Sequence, residues 1–227
     1  MKISRRFSAR DSVVDLVRED YNILPLLSRF SIPLGFGNKT IGEVCRDAGI
    51  DCELFLLVVN FTLSGEIEIE ASSKISPTDI VVFLKNSHDY FRSYKIPHIR
   101  TNLSHALDES HNDINPIILN FFEEFVGKVD AHFAYEEETV FPYITALVNH
   151  TTTDYNIETF RRHHDDVSES LRELKNLILR YYSTSTPNKM YDVLVDIYNC
   201  EADLDSHSII ENSVLIPLID SIEHGKK

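Results

Sequence analysis

The chain has 227 residues and a formal net charge of −14, with 43% hydrophobic and 26% charged residues. These values are typical of a soluble globular protein, and the length suits a bundle with a smaller appended domain. Only 22 Lys and Arg residues argue against a nucleic-acid partner, and the absence of a membrane-spanning apolar run or signal-peptide core favours a cytoplasmic protein without a membrane partner.

Residues 1–75 are predicted to form a small helical domain and a linker. Asp11 is expected to cap a helix over Val13–Arg29, because Asp side chains accept hydrogen bonds from the first free N–H groups of a helix. The proline and glycines of residues 33–37 then predict a loop. The first part of the chain is therefore expected to be compact and interrupted by turns.

Two shorter helices are predicted to follow this loop. Thr40 is expected to cap the first, which ends at Gly49, and Asp51 to cap the second, which ends at Gly65. Residues 66–70 alternate like a strand, but no second run is present to pair with them. We therefore expect this stretch to be a linker.

Residues 76–227 are predicted to form an all-α, antiparallel up-down-up-down four-helix bundle. Short connections between four long periodic segments make successive helices antiparallel neighbours. Pro97, Pro142 and Pro217 lie inside three of these segments and are expected to kink or end them, because proline lacks the N–H that a helix uses. The expected helices are 77–111, 116–149, 155–182 and 188–223, with start signals at Ser76-Pro77, Asn115-Pro116, Thr153 or Asp154, and Thr186-Pro187.

The bundle sequence contains a repeated pattern of potential metal ligands. Each half carries one His and, 43 or 44 residues later, a His-x-x-x-Glu motif. The duplication indicates two helix pairs related by a pseudo-twofold axis. The six candidate metal ligands are His88, His132, Glu136, His164, His207 and Glu211.

Helical phase places these six side chains toward the core. In the fourth helix, His207 and Glu211 continue a stripe that is otherwise apolar, as at Ile197. In the third helix His164 lies on the inward stripe, whereas His163 points about 100° away from it. The phase therefore selects His164 over its neighbour.

The residue types at these positions indicate a metal centre. Unpaired carboxylates buried among apolar side chains would cost several kcal/mol each, so Glu136 and Glu211 require compensation. Both can bridge two ions while each ion takes two imidazoles, and such a donor set without thiolate suits iron or manganese and accepts zinc. A lone core His is usually structural, but four in phase with two Glu favour metal over the alternative of a buried polar network.

Other polar residues are weaker candidates. His98 and His105 follow His88 by 10 and 17 residues, roughly one and two heptads after allowing for Pro97, and could approach the core. Glu137 and Glu138 are predicted to lie on a solvated face, with a position near the mouth of the site as the alternative for either of them. None of these four is assigned as a ligand.

Three cysteines occur at Cys45, Cys52 and Cys200. Their odd number and the absence of CxxC spacing favour buried or inert thiols. We therefore expect neither a disulfide framework nor a zinc ribbon.

The ligand motifs resemble the hemerythrin-like HHE superfamily, and more narrowly the iron-sulfur cluster repair di-iron (RIC) family. Oxygen-carrying hemerythrins have a second His one turn from the first on the third helix and end with His-x-x-x-x-Asp. Here Phe160 and Ser168 flank His164 by one turn, and the last motif is His-x-x-x-Glu. The similarity extends to residues 11–63, although Leu34-Gly35-Phe36-Gly37 replaces the Cys-Cys-Gly-Gly element of the family.

The resemblance implies two non-haem iron ions, oxo- or hydroxo-bridged, that manganese or zinc can replace. It implies that the protein binds or reduces nitric oxide, dioxygen or peroxide and protects or repairs iron-sulfur clusters under nitrosative and oxidative stress. Damaged iron-sulfur proteins would then be partners, and a homodimer stays open. The alternative is a non-enzymatic sensor or reversible binder of O2 or NO. Whether the chain turns over as a nitric oxide reductase, and with which catalytic residues, stays open.

Overall fold

The computed structural model describes residues 5–69, 73–108, 113–151, 154–163, 167–184 and 187–225. These residues form helices joined by turns and loops, with no strand among them, which confirms the all-α class. The chain divides into two compact units, Met1–Ser87 with Ser213–Lys227 and His88–Asn212. Among the described helices, none is both long and apolar enough to cross a membrane.

The amino-terminal helices follow local capping signals. Thr40 and Glu43 form a reciprocal capping box at the start of α3 (Ile41–Ala48). The Asp51 carboxylate caps α4 (Cys52–Ser64). Gly49 ends α3 with φ of 68° and Gly65 ends α4 with φ of 76°, values that glycine adopts without a steric penalty. These predictions are confirmed. The helices are α1 (Val13–Glu19), α2 (Leu24–Arg29), α3 (Ile41–Ala48) and α4 (Cys52–Ser64).

The prediction of one helix over Val13–Arg29 with an Asp11 cap is wrong. Ser12 caps α1, whereas the Asp11 carboxylate accepts hydrogen bonds of 2.8 Å from the backbone N–H and hydroxyl of Ser8. Asp20 has extended backbone angles and ends α1, and a 3-10 turn precedes α2. Local side-chain hydrogen bonds therefore divide the predicted helix, because Ser and Asp compete with the regular ladder.

The long helices begin close to the predicted positions. The predicted third helix is described as two segments, with 164–166 outside the described residues. Three of the long helices contain an internal π turn. They are α5 (Pro77–Tyr90, π turn Phe91–Lys95, Ile96–Ala106), α6 (Asn115–Tyr135, π turn Glu136–Val140, Phe141–Val148), α7 (Ile157–His163), α8 (Glu169–Tyr181) and α9 (Pro187–Ile210, π turn Glu211–Leu215, Ile216–Glu223).

The helices do not end at their internal prolines, contrary to one of the two expected outcomes. Each of Pro97, Pro142 and Pro217 is the second residue after a π turn. At the first of these turns the N–H of Ile96 donates to the carbonyl of Phe91, five residues back. The wider turn lets the helix continue where proline cannot donate the usual bond.

The helices of the His88–Asn212 unit enclose one hydrophobic core. The Ile96–Ala106 segment of α5 contacts α6 and α9, and α8 contacts the same two helices. Arg92 pairs with Asp130, and Arg100 with Glu123, so α5 and α6 run antiparallel. This arrangement agrees with the predicted bundle. Its most deeply buried side chains include Phe91, Ile99, Phe122, Phe125, Val129, Leu171, Leu174 and Ile197.

Candidate metal centre

Three helices bring four predicted ligands together inside the core. His88 comes from α5, Glu136 from α6, and His207 and Glu211 from α9. One potential ligand atom from each lies within 4.8 Å of the other three. The His207 side chain is 2% exposed and the other three are fully buried. The sequence therefore places two imidazoles and two carboxylates where water cannot solvate them.

The imidazole nitrogens of this group face the carboxylate oxygens. Nε2 of His88 lies 3.0 Å from Oε2 of Glu136 and 3.3 Å from Nε2 of His207. Nε2 of His207 lies 3.1 Å from Oε1 of Glu211. The i, i+4 spacing of His207 and Glu211 produces this last contact directly, because one helical turn stacks the two side chains on one face.

His132 contacts the other oxygen of Glu136. Its Nε2 lies 3.1 Å from Oε1, and its side chain is 7% exposed. Oε2 of the same carboxylate faces His88 and lies 3.9 Å from Nε2 of His207. Each oxygen of Glu136 therefore faces at least one imidazole nitrogen.

His164, the sixth predicted ligand, lies outside the described residues. Its described neighbours on the predicted stripe are buried: Phe160 is 0% exposed and Val167 6%. In the sequence, position 164 comes four residues after Phe160 and three before Val167, which is the spacing of the predicted stripe. His163 ends α7, and its side chain is likewise not described.

The π turns of α6 and α9 begin at the two carboxylate residues. Glu136 is the first residue of one and Glu211 of the other. Such turns are rare and occur frequently at functional sites, because the extra residue changes which side chains face inward. The sequence signal for them is a proline six residues further on, at Pro142 and Pro217.

His88 is held as a neutral imidazole. Burial, reinforced by the nearby His207, lowers the pKa of His88 to about 2. Its Nδ1 lies 2.7 Å from Oε1 of Glu137, an acceptor, so this nitrogen donates the hydrogen bond. Nε2 is consequently the unprotonated nitrogen and faces the carboxylates, as a metal ligand must.

The Glu136 carboxyl binds its proton more tightly than an ordinary glutamate in the metal-free protein. Burial, together with Glu211, raises the pKa of Glu136 well above its ordinary value. Burial opposes protonation of His207, but Glu211 and Glu136 outweigh it and raise the pKa of this imidazole to about 9. A positive charge is therefore favoured at this centre, and a metal cation would supply it.

Glu137 is only partly solvated and lies beside the centre, which is the second of the two positions expected for it. Its side chain is 32% exposed and accepts hydrogen bonds from His88 and from Arg92. The sequence signal for this contact is the position of Arg92, one helical turn after His88. The expected position near the mouth of the site is therefore right for Glu137, whereas its direct contact with His88 was not predicted.

Four other described histidines, His98, His105, His150 and His224, do not join this group. The His98 side chain is 44% exposed, and its Nε2 lies 3.2 Å from Oδ2 of Asp196. His105 and His150 are exposed. His224 is also exposed, and its Nδ1 contacts the Asp220 carbonyl.

The three cysteines remain free thiols, in agreement with the sequence prediction. Cys45 and Cys200 are buried, and Cys52 is half-buried. The hydrogen bond between Cys45 and Cys52 raises the pKa of the Cys45 thiol and lowers that of the Cys52 thiol.

Comparison with known families supports the helical fold and the binding of a metal cation. Residues 79–220 match the hemerythrin HHE cation binding domain. The matched stretch contains all six candidate ligands and covers more than half of the chain. A comparison with curated proteins finds no match. The buried His and Glu group can hold a metal ion, and the chain belongs to the hemerythrin HHE cation-binding family.

Proposed function

We propose that the centre binds two non-haem iron ions and that the protein uses them to bind or reduce nitric oxide or an oxygen species. In this proposal it protects or repairs iron-sulfur clusters under nitrosative and oxidative stress. The observation that carries the proposal is the buried contact of His88, His132 and His207 with Glu136 and Glu211. When bound, the iron pair would supply the redox chemistry and the open coordination positions for a small ligand.

The donor set supports iron. Imidazole and carboxylate without thiolate suit iron or manganese and also accept zinc, whereas a structural zinc site would be a closed set of four ligands. The two oxygens of Glu136 face His88 and His132, which supports a carboxylate shared by two ions. With His164 as the fourth imidazole, each ion would receive two nitrogens.

The surrounding residues would orient the ligands and exclude water. The ring of Phe133 stacks on His88 with centroids 3.9 Å apart, and Phe141 lies 5.5 Å away on a nearly parallel plane. Both phenyl rings are fully buried. An apolar wall of this kind favours small uncharged ligands such as nitric oxide or dioxygen over hydrated ions.

The repair role rests on finer sequence features. The position one turn after His164 is Ser168, and the last motif is His-x-x-x-Glu, which favour the cluster repair subgroup over oxygen carriers. Residues 34–37 lack the cysteine pair of that subgroup. Binding or reduction of a gas at the irons is therefore better supported than direct transfer of iron to a client protein.

Anaerobic optical titration of the ferrous-loaded protein with nitric oxide, dioxygen and peroxide tests this proposal. A stoichiometric spectral change with at least one ligand is expected. Continued consumption of nitric oxide with an electron donor would identify a reductase, whereas binding that stops after one equivalent per centre would identify a sensor or reversible binder. Spectra that none of the three ligands changes would contradict the proposal.

A further inference from the structure

Glu137 contacts a predicted ligand from outside the centre. Its Oε1 lies 2.7 Å from Nδ1 of His88, on the opposite side of the imidazole from Glu136. The residue follows Glu136 directly in α6, so the two carboxylates approach one imidazole through its two nitrogens. A carboxylate that accepts from the second nitrogen of a ligating His fixes the tautomer and ring orientation and makes the ligand more basic.

Glu137 is itself held in place by Arg92. Nη1 of Arg92 donates to both carboxylate oxygens of Glu137, at 2.8 and 3.0 Å. Arg92 is anchored in turn by Asp130, whose carboxylate accepts from Nε at 3.3 Å and whose carbonyl accepts from Nη2 at 3.2 Å. The guanidinium also lies 5.4 Å from the ring centroid of Phe133. These contacts leave Glu137 little freedom to rotate away from His88.

The other half of the repeat carries different residues at the equivalent positions. Asn212 follows Glu211 where Glu137 follows Glu136, and Ser168 follows His164 by four residues where Arg92 follows His88. The charged pair beside His88 is therefore replaced by an amide and a hydroxyl in the second half. The sequence repeat of the ligands therefore does not extend to these two positions.

We propose that Glu137, held by Arg92, is a positioning residue for His88 and makes the metal position shared by His88 and His207 the tighter of the two. This inference rests on the proposed metal centre and concerns the difference between its two ions. The carboxylate strengthens electron donation by the His88 imidazole, which favours metal retention and the oxidised state on that side. Replacing Glu137 should therefore weaken the binding of one ion and leave the binding of the other nearly unchanged.

Stepwise metal removal from the loaded protein by a competing chelator tests the inference. In Glu137→Ala the affinity for one ion should fall by roughly 10- to 100-fold, the usual effect of losing such a partner, while the other ion is retained as in the parent. Glu137→Gln should show a smaller loss, because its amide oxygen still accepts from Nδ1. Glu138→Gln, an exposed neighbour on α6, is the matched control and should behave as the parent.

The midpoint potential of the iron-loaded protein separates positioning from a general structural role. Glu137→Ala should raise the potential of one iron, because a less basic imidazole stabilises the oxidised state less. Equal loss of both ions would overturn the asymmetry, and unchanged affinity and potential would overturn the positioning role. If the alanine variant does not fold, the glutamine variant gives the same two readouts. A parent protein that binds no metal would instead contradict the proposed function itself.

Discussion

Nε2 of His88 lies 3.3 Å from Nε2 of His207, although 119 positions separate them in the chain. One imidazole belongs to the first half of the internal repeat and the other to the second half. His132 faces the opposite oxygen of Glu136. The neighbouring imidazoles of His88 and His207 therefore come from different halves of the repeat. By the same pattern, the repeat predicts that His164 lies beside His132.

Replacing a central imidazole should reduce both metal content and stability. We expect His132→Ala and His207→Ala to hold clearly fewer metal ions per chain than the parent, because Glu136 or Glu211 loses an adjacent donor. Loss of one member of a buried charged group destabilises by about 3–5 kcal/mol. Elemental analysis and urea unfolding measure the two effects. His98→Ala, at an exposed position, is the control, and parent-like loading of the two central variants would show that the ligands are misassigned.

The third predicted helix of the bundle, residues 155–182, provides a test of helical phase. His164→Ala should lower metal content, whereas His163→Ala should leave it nearly intact, because the sequence spacing puts only position 164 on the predicted inward stripe with Phe160 and Val167, which are both buried. Metal analysis of the two adjacent variants gives the answer. The opposite pattern, with an empty centre only in the His163 variant, would disprove the inward phase of His164.

Stability of the metal-free protein should fall as the pH rises from 6.5 to about 9. The pKa of His207 is raised from 6.5 to about 9, so its protonation stabilises the fold fully below 6.5 and this contribution disappears across that window. The expected loss is about 3 kcal/mol at 1.36 kcal/mol per pKa unit. The raised pKa of Glu136 also makes the stability of the folded state fall as the pH rises.

Urea unfolding at the two ends of this pH window, with chelator present, measures the effect. The metal-loaded protein is the comparison, because a nitrogen that binds a metal ion no longer titrates and its stability should change much less. Equal stability of the metal-free protein at both ends would contradict the protonated state of His207.

A buried ion pair elsewhere in the bundle tests the packing independently of the metal. Lys175 Nζ contacts Glu201, whose side chain is 11% exposed, and lies 3.9 Å from the ring centroid of Tyr198. Glu201→Leu should destabilise by about 3–5 kcal/mol, because it leaves a buried ammonium without its carboxylate. Adding Lys175→Met should restore most of that loss in thermal unfolding. Unchanged stability of the single variant would show that the pair is not buried in solution.

The contacts within one helix were the most predictable part of the centre. His207 and Glu211 lie one turn apart, so their 3.1 Å contact follows from the sequence spacing alone. The amino-terminal caps at Thr40 and Asp51 are equally local, because each hydrogen bond spans three residues. Such features depend on a few consecutive residues and therefore do not require knowledge of the tertiary structure.

The features that sequence reasoning missed depend on neighbouring elements or on competing local bonds. The contact of Glu137 with His88 joins α5 to α6 across 49 residues, and it needs the exact rotation of both helices. The π turns that begin at Glu136 and Glu211 change that rotation by one residue. Asp20 interrupts the first helix because its extended backbone and side-chain bond outcompete the helical ladder.

The most direct test of the central claim is the metal content of purified protein after anaerobic reconstitution with ferrous iron and removal of excess metal. We predict close to two iron ions per chain, and about half or less in the His132→Ala and His207→Ala variants. Iron content near zero in the parent protein, or loading that these two substitutions leave unchanged, would contradict a metal centre formed by these residues.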